Sequence, residues 1–191
     1  MKVADYIIKY LADYGIEDVF LVYGAANGDL VDAFTRNDKI RYIAVMHEQG
    51  GGFAAEGHSK ISGKIGVAMA TSGPGGMNFV TPIGNCFYDS IPCLFITGQI
   101  NSKFMRPDES IRQIGFQETD IVSVVKPMTK YAKTIMNPLT SVKGTIVSSF
   151  VLALIVAFYF STDSSSLFDE VGQRNLAIWL HALSGVTWVG L

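Results

Sequence analysis

The first two-thirds of the chain alternates between two kinds of hydrophobic pattern. Apolar residues from Val3 to Tyr14 recur at helical spacing, and Gly15 is a plausible stop for that helix. Short continuous apolar runs follow, and runs of this kind predict strands that are buried on both faces of a parallel sheet. The predicted strands lie in "DVFLVYG", "IRYIAVM", "KIGVAMA" and "IPCLFITGQ".

The segments between these predicted strands have helical character. Helices are predicted in "GDLVDAF", in 48–62 and in "MNFVTPIGNCFYD", and "IVSVVKPMTKYAKTI" could hold a further helix with a break at Lys126-Pro127. Strands that alternate with helices indicate right-handed crossovers. The predicted fold class over residues 1–136 is therefore α/β, a doubly wound parallel sheet with helices on both faces.

The hydrophobic pattern changes after residue 136. The 19 residues from 144 to 162 carry no charged side chain, and a bilayer core of about 30 Å needs about 20 apolar residues. This predicts a transmembrane helix, with a buried soluble helix as the alternative. A second apolar run begins at Asn175. The expected division is a domain in 1–136, a linker and transmembrane helix in 137–166, and the start of a second, truncated membrane helix in 167–191.

The distribution of charge supports the same division. Residues 1–136 contain 13 Lys/Arg and 14 Asp/Glu, whereas residues 137–191 contain five charged side chains in all. Lysines precede the predicted span and acidic residues follow it, which predicts a cytoplasmic N-terminal domain and membrane association through 144–162. The net charge is −2 without a basic run, which argues against nucleic acid as a partner. Cys86 and Cys93 lack metal-ligand spacing and are interpreted as buried thiols.

A carboxylate stands where a predicted strand passes into a predicted helix. Glu48 follows "IRYIAVM" and precedes three glycines, 50–52. Interaction with the helix dipole, worth about 0.3–1 kcal/mol, would explain Glu48 alone. It does not explain the glycines, since each costs up to about 1 kcal/mol inside a helix. Sites in doubly wound sheets form at the carboxyl ends of strands. Glu48 and the "TSGPGG" loop are therefore expected at one edge of the sheet.

Several motifs carry a resemblance to a known family. "HEQGGGFAAEGHSKISGKIGVAMATSGPGG" and "IGFQETDIVSVVKPMTKYAKTI" resemble the pyrimidine-binding domain of thiamine-diphosphate-dependent enzymes, in particular the acetolactate-synthase-like branch. The resemblance extends over about Val3 to Ile135. It implies thiamine diphosphate as cofactor, a 2-keto acid as substrate and, in some relatives, FAD. It also implies that Glu48 hydrogen-bonds the pyrimidine N1′ and favours the imino tautomer that takes the proton from thiazolium C2.

The resemblance implies further site residues. Gln117 would approach the reacting centre, with an ordinary polar role as the alternative. Asn78 could serve the site or cap a helix, and His47 is interpreted as structural. His58 replaces a tyrosine and is interpreted as a surface change. The residues expected to bind the cofactor are Gly24, Glu48, Thr71, Ser72, Gly73, Pro74, Gly75 and Asn78.

Two departures from the family pattern limit what is implied. The family often has Gly-x-Pro-Gly after the first strand, whereas this chain has "GAANG" at 24–28. Acetolactate synthesis is therefore one option, and another carboligase or decarboxylase fits as well. The Gly-Asp-Gly and Asn-Asn motifs that hold Mg²⁺ and diphosphate in the family do not occur in these 191 residues. The expected partner is a diphosphate-binding domain or subunit that supplies the Mg²⁺, within a homo-oligomeric parent enzyme, and the chain is expected to be inactive alone.

The C-terminal run has its own weak resemblance. "WLHALSGVTWVG" is similar to an early helix of urate-oxidase-like integral membrane proteins, which makes His181 a candidate haem ligand, with an interhelical hydrogen bond as the milder alternative. Three hypotheses follow. The chain is a truncated or chimeric product joined near 136–141, a membrane-anchored subunit of a split enzyme, or a non-enzymatic, haem-binding membrane protein.

Overall fold

The protein folds around one six-stranded parallel sheet. A computed structural model describes residues 2–136 and 187–190. The spatial order of the strands is β2-β1-β3-β4-β6-β5, and every pair of neighbours is parallel. The strands are β1 (Asp18–Leu21), β2 (Arg41–Ala44), β3 (Gly66–Ala70), β4 (Cys93–Thr97), β5 (Tyr131–Thr134) and β6 (Thr187–Gly190).

Helices cover both faces of the sheet, which confirms the predicted fold class. Helices α1 and α2 pack on one face, and α3, α5 and α6 pack on the other. Within the described residues, 3₁₀ helices lie at Ala25–Asn27, Ser102–Phe104 and Lys126–Met128. The α-helices are α1 (Val3–Asp13), α2 (Gly28–Phe34), α3 (Glu48–Ser62), α4 (Pro74–Met77), α5 (Val80–Tyr88) and α6 (Ile121–Val125).

The central strands separate two hydrophobic cores. Val67 and Met69 on β3 belong to the core with α1 and α2, whereas Ala68 belongs to the core with α3 and α5. In the second core, the rings of Phe79 and Phe95 meet edge to face at 5.2 Å. Burial of such side chains contributes about 1.5–3 kcal/mol each. The continuous apolar runs therefore predicted β3 and β4 correctly as strands with two buried faces.

The second strand differs from the prediction in its burial. We predicted "IRYIAVM" as a strand buried on both faces, but all four residues of β2 are exposed. The reason is its place at the edge of the sheet, where it pairs only with β1 among the described strands. Its apolar residues Tyr42 and Ile43 are therefore partly open to solvent.

Two predicted helices are also corrected. The segment 77–89 contains the end of α4 and all of α5, with a turn between them, rather than one helix. Within 121–135 the helix ends at Val125, and Lys126-Pro127 continues as a 3₁₀ turn. Residues Tyr131–Thr134 then form β5, because their backbone pairs with β6.

The C-terminal strand lies where a membrane helix was predicted. Thr187–Gly190 pairs with β4 on one side and β5 on the other. At these four positions the structure has a strand where the sequence predicted a helix, and threonine, tryptophan and valine favour strands. The predicted span 144–162, the junction near 136–141 apart from Met136, and His181 lie outside the described residues. Within the described ranges, no helix is both long and apolar enough to cross a membrane.

The two cysteines are expected to resist chemical modification. Cys86 and Cys93 are free thiols and each is 1% exposed. A hydrogen bond with Cys93 and burial raise the pKa of the Cys86 thiol well above its ordinary value, which suppresses the reactive thiolate. We expect iodoacetamide at pH 8 to leave both thiols unmodified in the native protein and to label both in denaturant. Labelling of either native thiol, measured by mass spectrometry, would contradict this burial.

Candidate active site

The candidate residues lie at the carboxyl ends of four neighbouring strands. Gly24 follows β1, Glu48 follows β2, the loop 71–76 follows β3, and a long loop over 98–120 follows β4. The strands are parallel, so their carboxyl ends meet at one edge of the sheet. The structure therefore brings the segments to the edge where the sequence predicted them.

Glu48 is the first residue of α3 and is half-buried. The side chain of His47 caps this helix by accepting a hydrogen bond from the Gln49 backbone N–H at 3.2 Å, which agrees with a structural role for His47. Asn78 Nδ2 donates to Glu48 Oε2 at 2.9 Å. Oε1 makes no hydrogen bond to any residue in the described ranges and is free to accept one from a ligand.

The glycine loop approaches this carboxylate closely. A Cβ on Gly75 would lie 3.2 Å from Glu48 Oε1 and 2.8 Å from Thr71 Cγ2. Gly73 has a φ of +59°, which favours glycine. Its positive φ turns the chain into the short helix α4, whose C-cap residue is Asn78. A larger residue at position 75 would crowd Glu48, so the glycine keeps space beside its free oxygen.

Thr71 joins this loop to the turn after β1. A Cβ on Gly24 would lie 2.5 Å from Thr71 Cβ, so the two chains are in close contact. The Ala26 backbone N–H donates to Thr71 Oγ1 at 3.2 Å. Gly24 and Thr71 therefore form one wall next to Glu48.

Gln117 reaches the same loop from the segment after β4. Its side chain is exposed and its φ is +57°, an uncommon value for a residue other than glycine. A Cβ on Gly73 would lie 2.5 Å from the backbone oxygen of Gln117. The structure thus places Gln117 against Gly73 and Glu48 against Gly75.

Glu118 holds the Gln117 segment in place, although sequence reasoning did not single it out. Its Oε1 accepts from the Arg106 backbone N–H at 2.7 Å, and its Oε2 accepts from the Ile114 N–H at 2.9 Å. Desolvation raises the pKa of Glu118, but backbone N–H groups of Ile114, Arg106 and Gly115 outweigh it and lower that pKa below the ordinary value. One carboxylate therefore organises a loop that has little regular structure.

Replacing Glu118 with alanine is expected to loosen this loop. Two backbone donors lose their acceptor, and each such loss costs about 1 kcal/mol. We expect about tenfold faster hydrogen exchange at the Ile114 amide, whereas Glu109→Gln, an exposed change in the same loop, should have no effect. Because the pKa is lowered in the fold, this stabilisation is present above pH 4.5 and is lost as the pH falls through the lowered value. Exchange that is equal in both variants would contradict this role.

Other polar groups near α3 are structural. Glu56 is 4% exposed, and its carboxylate accepts from Lys60 Nζ at 2.5 Å and from Asn85 Nδ2 at 2.9 Å. His58, which we interpreted as a surface residue, is half-buried with its ring against Phe20. No periodicity in the sequence reveals such contacts, because they join α3 to β1 and α5.

Comparisons with known proteins give a matching family model and several similar enzymes. Residues 1–124 match the family model described as "Thiamine pyrophosphate enzyme, N-terminal TPP binding domain". The chain is 41% identical over 133 residues to acetolactate synthase 2, chloroplastic, of Brassica napus, which covers 70% of this chain and 20% of that protein. It is 40% identical over 136 residues to the chloroplastic acetolactate synthase of Arabidopsis thaliana, covering 71% of this chain and 19% of that protein.

A bacterial relative matches over a longer stretch. The acetolactate synthase large subunit of Corynebacterium glutamicum is 36% identical over 154 residues, which covers 81% of this chain and 24% of that protein. The chain therefore spans about a fifth to a quarter of the length of these curated relatives.

Proposed function

This chain belongs to the thiamine pyrophosphate enzymes, through their N-terminal TPP binding domain, and from this premise we propose that residues 1–136 bind the pyrimidine ring of thiamine diphosphate. The observation that carries this proposal is the free Oε1 of Glu48 beside Gly75. The other oxygen is held by Asn78, so the carboxylate has a fixed direction. A ring nitrogen that carries a proton donates a hydrogen bond, and a carboxylate oxygen of this kind accepts it.

The residues present fit a flat heteroaromatic ring. Gly75 approaches Glu48, and Gly73 in the same segment approaches Gln117, so side chains at positions 73 and 75 would crowd these two residues. Thr71 Oγ1 already accepts a hydrogen bond from the Ala26 backbone N–H. The side chain beside this wall that can accept with a negative charge is Glu48. A few placed polar groups that fix the orientation of a ligand are usual in cofactor pockets.

Each site residue then has a defined task. Glu48 would hold the pyrimidine N1′ and would stabilise the protonated form of that nitrogen through its charge. Asn78 orients Glu48, and the backbone of Gly73 and Gly75 borders the ring. Gln117 lies against Gly73 from the segment after β4, where its exposed side chain can contact the substrate. When bound, the cofactor supplies the nucleophilic carbon and the electron sink for chemistry next to a keto carbonyl.

The proposed reaction class is carboligation or decarboxylation of a 2-keto acid. The identity to acetolactate synthases supports this class. The turn "GAANG" differs from the Gly-x-Pro-Gly pattern and keeps the choice of acceptor open. Mg²⁺ and the diphosphate would be held by a partner domain, and FAD remains a further proposal from the same resemblance.

Exposed apolar side chains around the site support a partner domain. Tyr23 directly precedes Gly24, Met77 precedes Asn78, and Phe116, which is 82% exposed, precedes Gln117. Met46 and Phe53 are exposed on either side of Glu48. Several exposed apolar side chains within a few residues of the site residues favour an interaction surface. The diphosphate-binding domain or subunit is the partner that this site needs.

Reconstitution tests the proposal. The full chain is mixed with a separately produced diphosphate-binding domain of an acetolactate synthase, with thiamine diphosphate, Mg²⁺ and pyruvate. We expect acetolactate or acetaldehyde to form only when both proteins are present. Absence of product, together with absence of thiamine diphosphate binding by calorimetry, would reject the proposal.

The C-terminal region has two proposed arrangements. A parallel β5–β6 pair needs a crossover connection, and residues 135–186 provide its length. The bacterial match of 154 residues in a chain of 191 extends beyond Met136, which favours a continuation of the same domain over a foreign membrane tail. The uncharged run 144–162 favours membrane anchoring instead. Carbonate extraction of membranes separates the two, because an anchored protein stays in the pellet and a crossover segment leaves the protein in the supernatant.

A further inference from the structure

The turn after β1 is built around one buried polar side chain. Asn27 is 1% exposed, although asparagine is mostly found at the surface. Its Oδ1 accepts from the Gly24 backbone N–H at 2.8 Å, and its Nδ2 donates to the Val22 backbone oxygen at 2.9 Å. One amide therefore closes the turn on both sides, with its acceptor and its donor both satisfied.

The turn also contacts two other loops at the same edge of the sheet. The Ala26 N–H donates to Thr71 Oγ1 at 3.2 Å. On its other side, a Cβ on Gly98 would lie 2.2 Å from the Ala26 oxygen, so β4 ends directly against the turn. Thr71 in turn lies against Gly75, the residue beside Glu48 Oε1.

These contacts depend on the residue types at positions 26 and 27. Proline at position 26 would have no N–H to donate to Thr71. Glycine at position 27 would have no side chain to bond Gly24 and Val22. Three hydrogen bonds, two of Asn27 and one of the Ala26 N–H, therefore hold this turn.

We propose that Asn27 is a positioning residue, which fixes the turn 24–27 against Thr71 and thereby sets the wall of the Glu48 site in this chain. The role of Glu48 in binding a cofactor rests on the proposed function, whereas the contacts of Asn27 are seen in the structure itself. Asn27 touches neither the ring nor the substrate. It acts through Gly24 and Thr71.

Amide hydrogen exchange of the full chain, followed by NMR, tests this role without any cofactor. In Asn27→Ala the Gly24 N–H loses its acceptor, and we expect its exchange to become about tenfold faster. The Ala26 amide should follow, because the turn no longer holds it against Thr71. The Ile83 amide, which bonds Phe79 in the core helix α5, should keep its protection.

Four further variants make the test specific. Asn101→Ala removes an exposed asparagine whose Oδ1 also accepts a backbone N–H, that of Lys103, and it should leave Gly24 unchanged. Asn27→Asp retains the acceptor for Gly24 but loses the donor to Val22, so Gly24 should be protected better than in Asn27→Ala. Thr71→Val should speed exchange at Ala26, whereas Thr71→Ser should not.

The side-chain amide of Asn78 gives a direct readout at the site. It donates to Glu48, so its NMR signal should shift in Asn27→Ala and stay in place in Asn101→Ala. An unchanged Gly24 exchange rate in Asn27→Ala would overturn the proposal. Equal acceleration at Gly24 and Ile83 would also overturn it, since Asn27 would then support the whole fold. Failure of thiamine diphosphate to bind the reconstituted protein would reject the proposed function and leave these amide results standing.

Discussion

Glu48→Gln is expected to lower keto-acid turnover by about 100-fold or more in the chain paired with a diphosphate-binding domain. Glutamine has nearly the same size, and its carbonyl oxygen can still accept from Asn78. Its neutral amide has no charge with which to stabilise a protonated ring nitrogen. The loss should therefore fall on turnover, while the melting temperature stays within about 2 °C of the parent protein.

The matched control is Glu109→Gln, an exposed change in the loop after β4. Steady-state turnover and circular dichroism are measured for both variants. We expect Glu109→Gln to retain full turnover. Retention of turnover by Glu48→Gln would remove Glu48 from the catalytic residues.

Gly66→Ala is expected to give the largest loss of stability. A Cβ at position 66 would lie 1.9 Å from the backbone oxygen of Ala55 and 2.6 Å from its carbonyl carbon. The obstruction is the backbone of α3, which cannot rotate away as a side chain can. Helix α3 must then shift on the sheet, at a cost of about 1–3 kcal/mol or more in the free energy of unfolding.

Gly57→Ala in the same region is the control. A Cβ at position 57 would meet nothing within 4 Å, and alanine is favoured over glycine inside a helix by about 1 kcal/mol. We expect this variant to be as stable as the parent or more stable in urea denaturation. A Gly66→Ala protein with unchanged stability would show that α3 does not pack against β3 as closely as the structure indicates. Since α3 carries Glu48, Gly66→Ala should also weaken the site.

The sequence predicted the sheet well where burial alone decides the pattern. β3 and β4 lie in the middle of the sheet, so both faces of "GVAMA" and "CLFIT" are apolar. Helix α3 was predicted with its observed bounds, because a glutamate starts it and a glycine ends it. β2 has a similar composition but an edge position, and an edge position is a property of the sheet order rather than of the local sequence.

Those parts of the candidate site that follow from the fold topology were also predicted. Glu48 and the glycine loop stand directly after strands, so the topology of the fold places them together. Asn27 and Glu118 act through hydrogen bonds to backbone groups within irregular loops. The residues that these two side chains contact are brought together by turns, which have no periodic sequence pattern. Strand β5 was missed for another reason: its four residues are neither continuously apolar nor alternating. Only the three-dimensional arrangement shows these contacts.

The measurement that tests the central claim most directly is the exchange of the cofactor's C2 hydrogen for deuterium, with Glu48→Gln compared to the parent protein. Thiamine diphosphate and Mg²⁺ are added to the chain and its diphosphate-binding partner, and NMR follows the C2 signal after transfer to D₂O. We expect rapid exchange in the parent and in Glu109→Gln, and exchange close to that of the free cofactor in Glu48→Gln. Equally rapid exchange in Glu48→Gln would show that the proton leaves C2 without help from this carboxylate.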